Sequence, residues 1–268
     1  MAVDLSSPAA AGAAWDDGRL ALCAGAVDVL AGVAVACGDD FVPHYRAAVG
    51  GLERLVSSGA GGAGLGREAA AACRTLGGMA LEAVTIVGAA VCESDEGCDM
   101  YAHDAQKVLE LVSGLLPADP AAPVPETSVP FEQLAAATAR VSLAIGGAYP
   151  DVVGPHAALL LPHLLCRIGR DADVVVTEVP DDGRDVGIDG DDDGPHGMTF
   201  RVPGGGGLRR ITMDAEAVLG KAASARALHD LAEGLAGAFG PHAGTCIDVL
   251  LPQVQFAYSS EVRSTSAA

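Results

Sequence analysis

A phrase that joins two helical segments recurs three times along this chain. The copies occupy residues 36–56 (ACGDDFVPHYRAAVGGLERLV), 146–168 (GGAYPDVVGPHAALLLPHLLCRI) and 237–256 (GAFGPHAGTCIDVLLPQVQF). Each copy contains a small turn, an aromatic residue, a nearby proline and then an amphipathic helix. The last two copies share one aromatic-to-proline spacing, Tyr149 to Pro162 and Phe239 to Pro252. A recurring helix–turn–helix unit predicts a solenoid, an architecture that binds partners rather than catalyses reactions.

Helical periodicity groups the chain into four successive helix pairs. They span about residues 18–58, 67–116, 131–169 and 213–257, so each has about 40–50 residues, the period of HEAT-type repeats. We therefore predict an all-α fold, an α-solenoid of about four HEAT-type helix pairs (an armadillo-like helical superhelix) over residues 18–257. A disordered N-terminal tail, 1–17, and a polar tail, 258–268, are expected to flank it.

Apolar residues at helical spacing predict which helix faces are buried. One stripe follows the helix that begins near Tyr101, another follows Phe131, and a third follows the helix that begins near residue 214. The members are Tyr101, Ala105, Val108, Leu109, Val112, Leu115 and Leu116; Phe131, Leu134, Ala135, Thr138, Val141, Ser142 and Ile145; and Val218, Ala225, Leu228, Leu231, Leu235 and Phe239.

An acidic insertion, residues 170–212, separates the third and fourth pairs. It has no helical period, and its residues 171–193 hold ten acids and one base. Long loops of this kind are usually functional or disordered, and a flexible acidic strip attracts basic partners through its field. The segments MTFRV (198–202) and LRRITM (208–213) flank GGGG, which leaves a small hairpin open as an alternative to a simple loop.

The composition indicates which partners and which cellular compartment suit the chain. The formal net charge of −19 disfavours nucleic acid and favours basic proteins. Seven scattered cysteines without a CxxC pair indicate reduced, buried thiols in a cytosolic or nuclear protein. The N-terminus does not resemble a signal peptide. The longest apolar stretch, 20–37, contains Asp28 and is interpreted as a buried helix, so no membrane insertion is expected.

No motif in the sequence indicates catalysis, a cofactor or a metal. Asp189, Asp191 and Asp193 resemble the opening of an EF-hand loop, but Phe200 stands where a bidentate glutamate is required. Residues 59–64 fit G-x-G-x-x-G but follow a helical segment rather than a strand. The sequence contains neither H-E-x-x-H nor G-x-S-x-G. We therefore predict that the chain is not an enzyme and has no catalytic, cofactor-binding or metal-binding residues.

Aromatic and histidine residues recur at the helix joints. Phe41, Tyr149 and Phe239 are expected to fill the turn inside each pair rather than to form a partner-binding ladder, because large aromatic residues bury about 150–250 Å² each. Histidines near the start of second helices are interpreted as occupants of a structural slot rather than metal ligands, and these are His44, His156 and His242.

Three segments carry a resemblance to a known family. GDDFVPHYRAAVGGLERLV, GREAAAACRTLGGMALEAVTIVGAAV and YAHDAQKVLELVSGLL, in this order, resemble the central region of importin-beta-type nuclear transport receptors, most of all the Ran-binding-protein-5 (importin-beta-3) subgroup. That subgroup also has a helix pair followed by an Asp-rich insertion and another long helix. The resemblance covers roughly residues 20–256, whereas full receptors are several times longer and begin with a Ran-binding arch.

The resemblance implies a segment of a nuclear import receptor found in the cytoplasm and the nucleus. Such a receptor binds proteins with Lys-rich import signals on the second helix of each pair, is regulated by Ran-GTP and contacts nucleoporins. The candidate contacts with basic cargo are Asp181, Asp182, Asp185, Asp189, Asp191, Asp192 and Asp193. Two alternatives stay open: a generic HEAT-repeat scaffold without a transport role, and a truncated receptor that folds poorly.

Overall fold

We analysed a computed structural model of the chain. It describes residues 17–60, 67–122, 129–170, 174–179, 197–201, 208–213, 215–257 and 259–268. These residues form nine α-helices, and the fold is an all-α solenoid as the sequence predicts. The helices are α1 (Asp17–Cys37), α2 (Val42–Ala60), α3 (Arg67–Val91), α4 (Asp95–Leu115), α5 (Phe131–Ile145), α6 (Pro150–Gly169), α7 (Ala215–Leu235), α8 (Ala243–Leu250) and α9 (Ser260–Ala267).

The predicted apolar stripes form the core. All seven residues of the α5 stripe are buried, and so are the six that run from Val218 on α7 to Phe239. On α4, the stripe from Tyr101 to Val112 is buried, while Leu115 and Leu116 at its end are half-buried. Periodicity identifies these faces because residues three and four apart lie on one side of a helix.

The joints at the first and third copies of the recurring phrase share a left-handed backbone conformation. Gly38 follows α1 with a φ of 54°, and Ala236 follows α7 with a φ of 46°. Each begins a short 3-10 helix, Gly38–Phe41 or Ala236–His242, which contains one buried phenylalanine. A left-handed residue after a helix ends the helix and redirects the chain, and glycine fits this position because it has no Cβ.

Replacing Ala236 by glycine is therefore expected to stabilise the protein. Left-handed φ is unfavourable for alanine, and after the larger unfolded-state entropy of glycine is subtracted the gain is about 0.5–1 kcal/mol. Gly38→Ala is the reciprocal control, since its Cβ would be strained and would lie 3.1 Å from the Glu93 carboxylate. Urea unfolding should move the midpoint up for A236G and down for G38A; a lower midpoint for A236G would contradict this interpretation.

The insertion contains a small antiparallel sheet. Its strands are β1 (Val174–Val179), β2 (Gly197–Arg201) and β3 (Leu208–Met213), in the order β1-β3-β2. The β2–β3 hairpin that the sequence left open is present, with Met198 opposite Ile211. Our interpretation of residues 170–212 as a loop missed β1, which pairs Val174 with Met213. A β-branched run such as VVV needs a pairing partner, and the partners of these three valines are 35–39 residues further along the chain.

The chain divides into two compact units. One comprises residues 1–164 and 227–243, and the other comprises residues 165–226 and 244–268. In the first unit, α3 packs on α1, α2, α4 and α5. The second unit contains the sheet, α8 and α9. These units cut across the helix pairs that the sequence suggested, so the proposed boundaries between pairs remain a prediction.

Helix α1 differs from the expected buried helix. Val27 and Ala34 are buried, but Leu22 is 70% and Val29 is 66% exposed. Among the described elements, α1 has its main contact with α3, which covers only one side of a helix that is apolar nearly all round. Three stretches are long and apolar enough to cross a membrane by length and composition alone: Ala21–Ser57, Ala71–Val91 and Pro150–Gly169. Within them, 17%, 61% and 44% of an apolar 18-residue segment is buried.

The C-terminal segment is helical rather than a simple polar tail. Ser259 caps α9 by accepting a hydrogen bond from the Val262 N–H at 3.2 Å. Val262 is fully buried, and Arg263 Nη1 donates to the Phe256 carbonyl at 2.8 Å. The signal in the sequence is the serine N-cap followed by Glu261 in the first turn.

Candidate functional site

The candidate cargo contacts in the acidic insertion all lie outside the described residues. They are Asp181, Asp182, Asp185, Asp189, Asp191, Asp192 and Asp193. The site that the structure does describe is the polar surface of the second helices α2, α4 and α6. We define the second-helix surface by six residues: Arg46, Glu53, Asp104, Lys107, Glu110 and His156.

Helix α2 contributes Arg46 and Glu53 to this surface. Tyr45, Val49 and Leu52 are buried and fix the orientation of the helix. Arg46 and Glu53 each follow a buried residue by one position and therefore point away from the core. Arg46 is exposed and Glu53 is half-buried.

Helix α4 places a lysine opposite α2. Lys107 Nζ donates to Asp104 Oδ1 at 2.9 Å. That hydrogen bond and the Asp104 charge raise the pKa of Lys107; Glu53 raises it further, and Arg46 lowers it. The charges of Glu53 and Arg46 on α2 are therefore close enough to Lys107 on α4 to act on it. Lys107 itself is largely exposed, so a partner can reach its ammonium group.

Asp104 lies close to the buried side chain of Tyr45. Tyr45 and Tyr101 are both fully buried. Burial raises the pKa of Tyr45, and the Asp104 carboxylate raises it further. Asp104 is only 7% exposed, so its position is set by the core on one side and by Lys107 on the other. This carboxylate orients the lysine and is not an open contact for cargo.

Helices α4 and α6 are joined through His156. The Ser113 hydroxyl and His156 Nδ1 share a hydrogen bond of 2.8 Å. Burial lowers the pKa of His156, and the charge of Glu110 opposes that effect. Glu110 is exposed and accepts a hydrogen bond from Gln106 at 3.0 Å. Of the acids on the second-helix surface, Glu110 is therefore the most accessible to a basic partner.

Another acid on α4 is engaged by the second copy of the recurring phrase. The Tyr149 hydroxyl donates a hydrogen bond to the Asp99 carboxylate. This bond raises the pKa of Tyr149 to about 12. Tyr149 is half-buried, so it fills its joint less completely than the two phenylalanines do and ties the joint to α4.

The predicted role of the joint aromatics is confirmed for Phe41 and Phe239, which are 4% and 8% exposed. The interpretation of the histidines is supported at the same joints. Phe41 contacts His44 with 6.0 Å between ring centroids, and Phe239 contacts His242 at 5.8 Å. His156 serves a different purpose, since it bonds to Ser113 rather than to a joint aromatic.

The cysteines are all free, and Cys73 and Cys246 are buried. Burial raises the pKa of both thiols, so they stay protonated at neutral pH. The expectation of buried thiols is wrong for Cys37 and Cys166, which are exposed.

The second-helix surface carries three acids and two bases among its six residues. Exposed charges of this kind each contribute at most about 1 kcal/mol to an ion pair. The fold places the chain in the class of HEAT-repeat α-solenoids.

Solved structures of the karyopherin Kap121p share this fold over nearly the whole chain. Kap121p bound to Ste12p matches with a TM-score of 0.66, 18% identity and 94% of this chain covered, against 20% of Kap121p. Kap121p bound to Nup53p matches with a TM-score of 0.67, 18% identity and the same 94%, against 21%. Kap121p bound to RanGTP matches with a TM-score of 0.64, again at 18% identity over 94% of this chain and 21% of Kap121p.

The chain thus spans about a fifth of the length of these karyopherins. The likeness confirms, at the level of the fold, the resemblance to importin-beta-type receptors that the sequence carries. No protein-family model and no curated protein matches the chain.

Proposed function

We propose that this chain is a segment of an importin-beta-like nuclear import receptor that binds basic cargo. The observation that carries the proposal is the Kap121p fold over 94% of the chain, which is found in Kap121p complexes with Ste12p and RanGTP. The same resemblance implies regulation by Ran-GTP and contact with nucleoporins, and hence movement between the cytoplasm and the nucleus.

The charge distribution supports a basic partner. The chain has a formal net charge of −19, and charges of one sign raise the encounter rate with partners of the other. We propose two acidic elements for capture: the insertion acids from Asp181 to Asp193, and Glu53 with Glu110 on the second-helix surface. The insertion supplies long-range attraction, and the helices supply a fixed surface.

Binding of a fluorescent Lys-rich import-signal peptide tests this proposal. The whole chain is compared with a variant that lacks residues 181–193, at low and at physiological salt, with a charge-scrambled peptide as the control ligand. We expect selective binding that weakens as salt shortens the screening length to about 8 Å at 0.15 M. Deletion of the insertion should weaken binding most at low salt, where long-range attraction acts. Circular dichroism verifies that both proteins are helical.

A pair of charge reversals distinguishes the helix surface from general acidity. Glu110→Lys and Asp28→Lys change the net charge equally, but Glu110 lies on α4 and Asp28 lies on the first helix, α1; both are exposed. We expect Glu110→Lys to weaken peptide binding roughly threefold to tenfold, because each exposed pair contributes up to about 1 kcal/mol. Asp28→Lys should have a smaller effect.

Three outcomes of these binding experiments would contradict part or all of the proposal. Equal effects of the two reversals would remove the second-helix surface from the proposal and leave only nonspecific attraction. Equal, weak binding of both peptides by a folded chain would contradict the import-receptor proposal and favour a HEAT-repeat scaffold. Loss of helical signal in the unmodified chain would favour a receptor fragment that folds poorly.

A further inference from the structure

Three potential metal ligands meet on the last two turns of α7. His229, Asp230 and Glu233 each offer one ligand atom, and these atoms lie within 4.8 Å of one another. His229 Nδ1 is 3.3 Å from Asp230 Oδ1 and 4.0 Å from Glu233 Oε2. Sequence reasoning missed this group because HDLAE matches no common metal motif.

The geometry suits a single ion. Zn²⁺ bonds to histidine nitrogen and carboxylate oxygen at about 2.0–2.2 Å, so ligand atoms in one coordination shell lie roughly 3–4 Å apart. The separations of 3.3 and 4.0 Å from His229 Nδ1 lie in this range, and all three ligand atoms lie within 4.8 Å of one another. His229 and Glu233 are four residues apart and therefore share one face of the helix, and Asp230 reaches the same point from the adjacent position.

Access and charge also favour a cation. The side chains are 40%, 30% and 66% exposed for His229, Asp230 and Glu233, so an ion enters without opening the fold. Two carboxylates balance a divalent charge. The group lies near the C-terminus of α7, where the helix dipole is negative and stabilises cations.

We propose that His229, Asp230 and Glu233 bind one first-row divalent metal ion, with Zn²⁺ as the preferred ion. A mixed nitrogen and oxygen set with one imidazole favours Zn²⁺ or Co²⁺ over Mg²⁺ or Ca²⁺. Three protein ligands leave a coordination position for water or for a side chain of a partner protein. The site is independent of the import-receptor proposal.

The metal would fasten the turns of α7 that pack against α5. Leu231 lies between the ligands, and its carbonyl accepts a hydrogen bond from Ser142 Oγ at 3.3 Å. Gly234 directly follows Glu233 and contacts the Ser142 backbone closely. Bound metal should therefore raise the thermal stability of the chain.

Co²⁺ binding to the full chain under reducing conditions tests the site, with Zn²⁺ as competitor. Co²⁺ reports its ligands, because nitrogen and oxygen ligation gives weak visible bands whereas thiolate ligation adds an intense near-ultraviolet band. The variants are His229→Gln and Glu233→Gln, and the matched control is His103→Gln on α4, another exposed histidine. All four proteins are compared for metal affinity and for the shift of the melting temperature with metal.

We expect one Co²⁺ per chain in the wild type and in H103Q, with the spectrum of nitrogen and oxygen ligation and displacement by Zn²⁺. H229Q and E233Q should each lose about tenfold or more in affinity, together with the metal-induced rise in melting temperature. Unchanged affinity in H229Q, a purely thiolate spectrum, or no binding at millimolar metal would each overturn the proposal. In the last case the three side chains form only a surface ion pair.

Discussion

Gly234→Ala is expected to destabilise the first unit by at least about 3 kcal/mol, at the upper end of overpacking substitutions. A Cβ at this position of α7 would lie 2.3 Å from the Ser142 carbonyl carbon and 2.4 Å from its oxygen. These are backbone atoms inside α5, so no side-chain rotation relieves the overlap. The helices would have to separate, which also breaks the hydrogen bond from Ser142 Oγ to the Leu231 carbonyl.

Thermal unfolding followed by circular dichroism measures this effect. A loss of about 3 kcal/mol lowers the melting temperature by roughly 6–12 °C in a chain of this size. Gly51→Ala is the matched control, because Gly51 is inside α2 and a Cβ there meets nothing within 4 Å. It should stabilise the protein by up to about 1 kcal/mol through helix propensity. Equal melting temperatures for G234A and the wild type would show that α5 and α7 do not approach this closely.

Much of the fold could be predicted because its signals are local. The predicted helix pairs begin at residues 67 and 131, where α3 and α5 begin, and the predicted apolar stripe from Phe131 to Ile145 spans α5. The joint aromatics Phe41 and Phe239 could be assigned to the core because each occupies the turn of the same recurring phrase. Because the phrase recurs, an aromatic residue at one turn predicts the role of the aromatic residues at the other turns. A helix that occurs once gives no such comparison.

The remaining features depend on contacts that the sequence does not display. Strand β1 is recognisable only through its pairing with β3, whose paired residues are 29–39 positions further along the chain. The approach of Gly234 to Ser142 joins residues 92 positions apart, and the sequence shows only one glycine among 35. Among candidate site residues, the insertion acids were visible as a run of charge. Glu53 and Glu110 became candidates only when the buried faces of α2 and α4 fixed which residues point outward.

The ion pair of Lys107 with Asp104 links the candidate site to the buried core. Asp104 and Lys107 are three residues apart on α4, and the sequence allows this pair on any amphipathic helix. What the sequence does not show is that the buried Tyr45 of α2 lies close to this carboxylate. The position of α4 also depends on how closely α3 and α4 pack, where a second glycine lies against Tyr101.

Gly88→Ala is expected to disrupt that packing. A Cβ on Gly88 of α3 would lie 2.0–2.3 Å from ring atoms of Tyr101. The Tyr101 ring is fully buried, so it cannot move aside into solvent. Overpacking of this kind costs about 1–3 kcal/mol and more where the neighbour is rigid. We expect a loss of about 3 kcal/mol, seen as a lower urea midpoint.

A double-mutant cycle shows whether the tyrosine ring is the cause. Tyr101→Leu shortens the side chain and removes the ring atoms that the new Cβ would meet. The combined variant should then be more stable than the sum of the two single changes predicts, with a coupling of about 1–3 kcal/mol. Gly51→Ala combined with Tyr101→Leu supplies the additive reference. Strict additivity for Gly88→Ala as well would mean that α3 and α4 are not held apart by this ring.

The same variants connect the core to the candidate site. If the α3–α4 contact positions α4 and its exposed Glu110, then at a temperature where Gly88→Ala is still folded this substitution should weaken binding of the Lys-rich peptide as well as lower stability. Tyr101→Leu in the same chain should restore part of that binding along with the stability. A peptide affinity that stays at the wild-type value while stability falls would separate the two properties. Binding would then rest on Glu110 and the insertion acids, independently of the buried tyrosines.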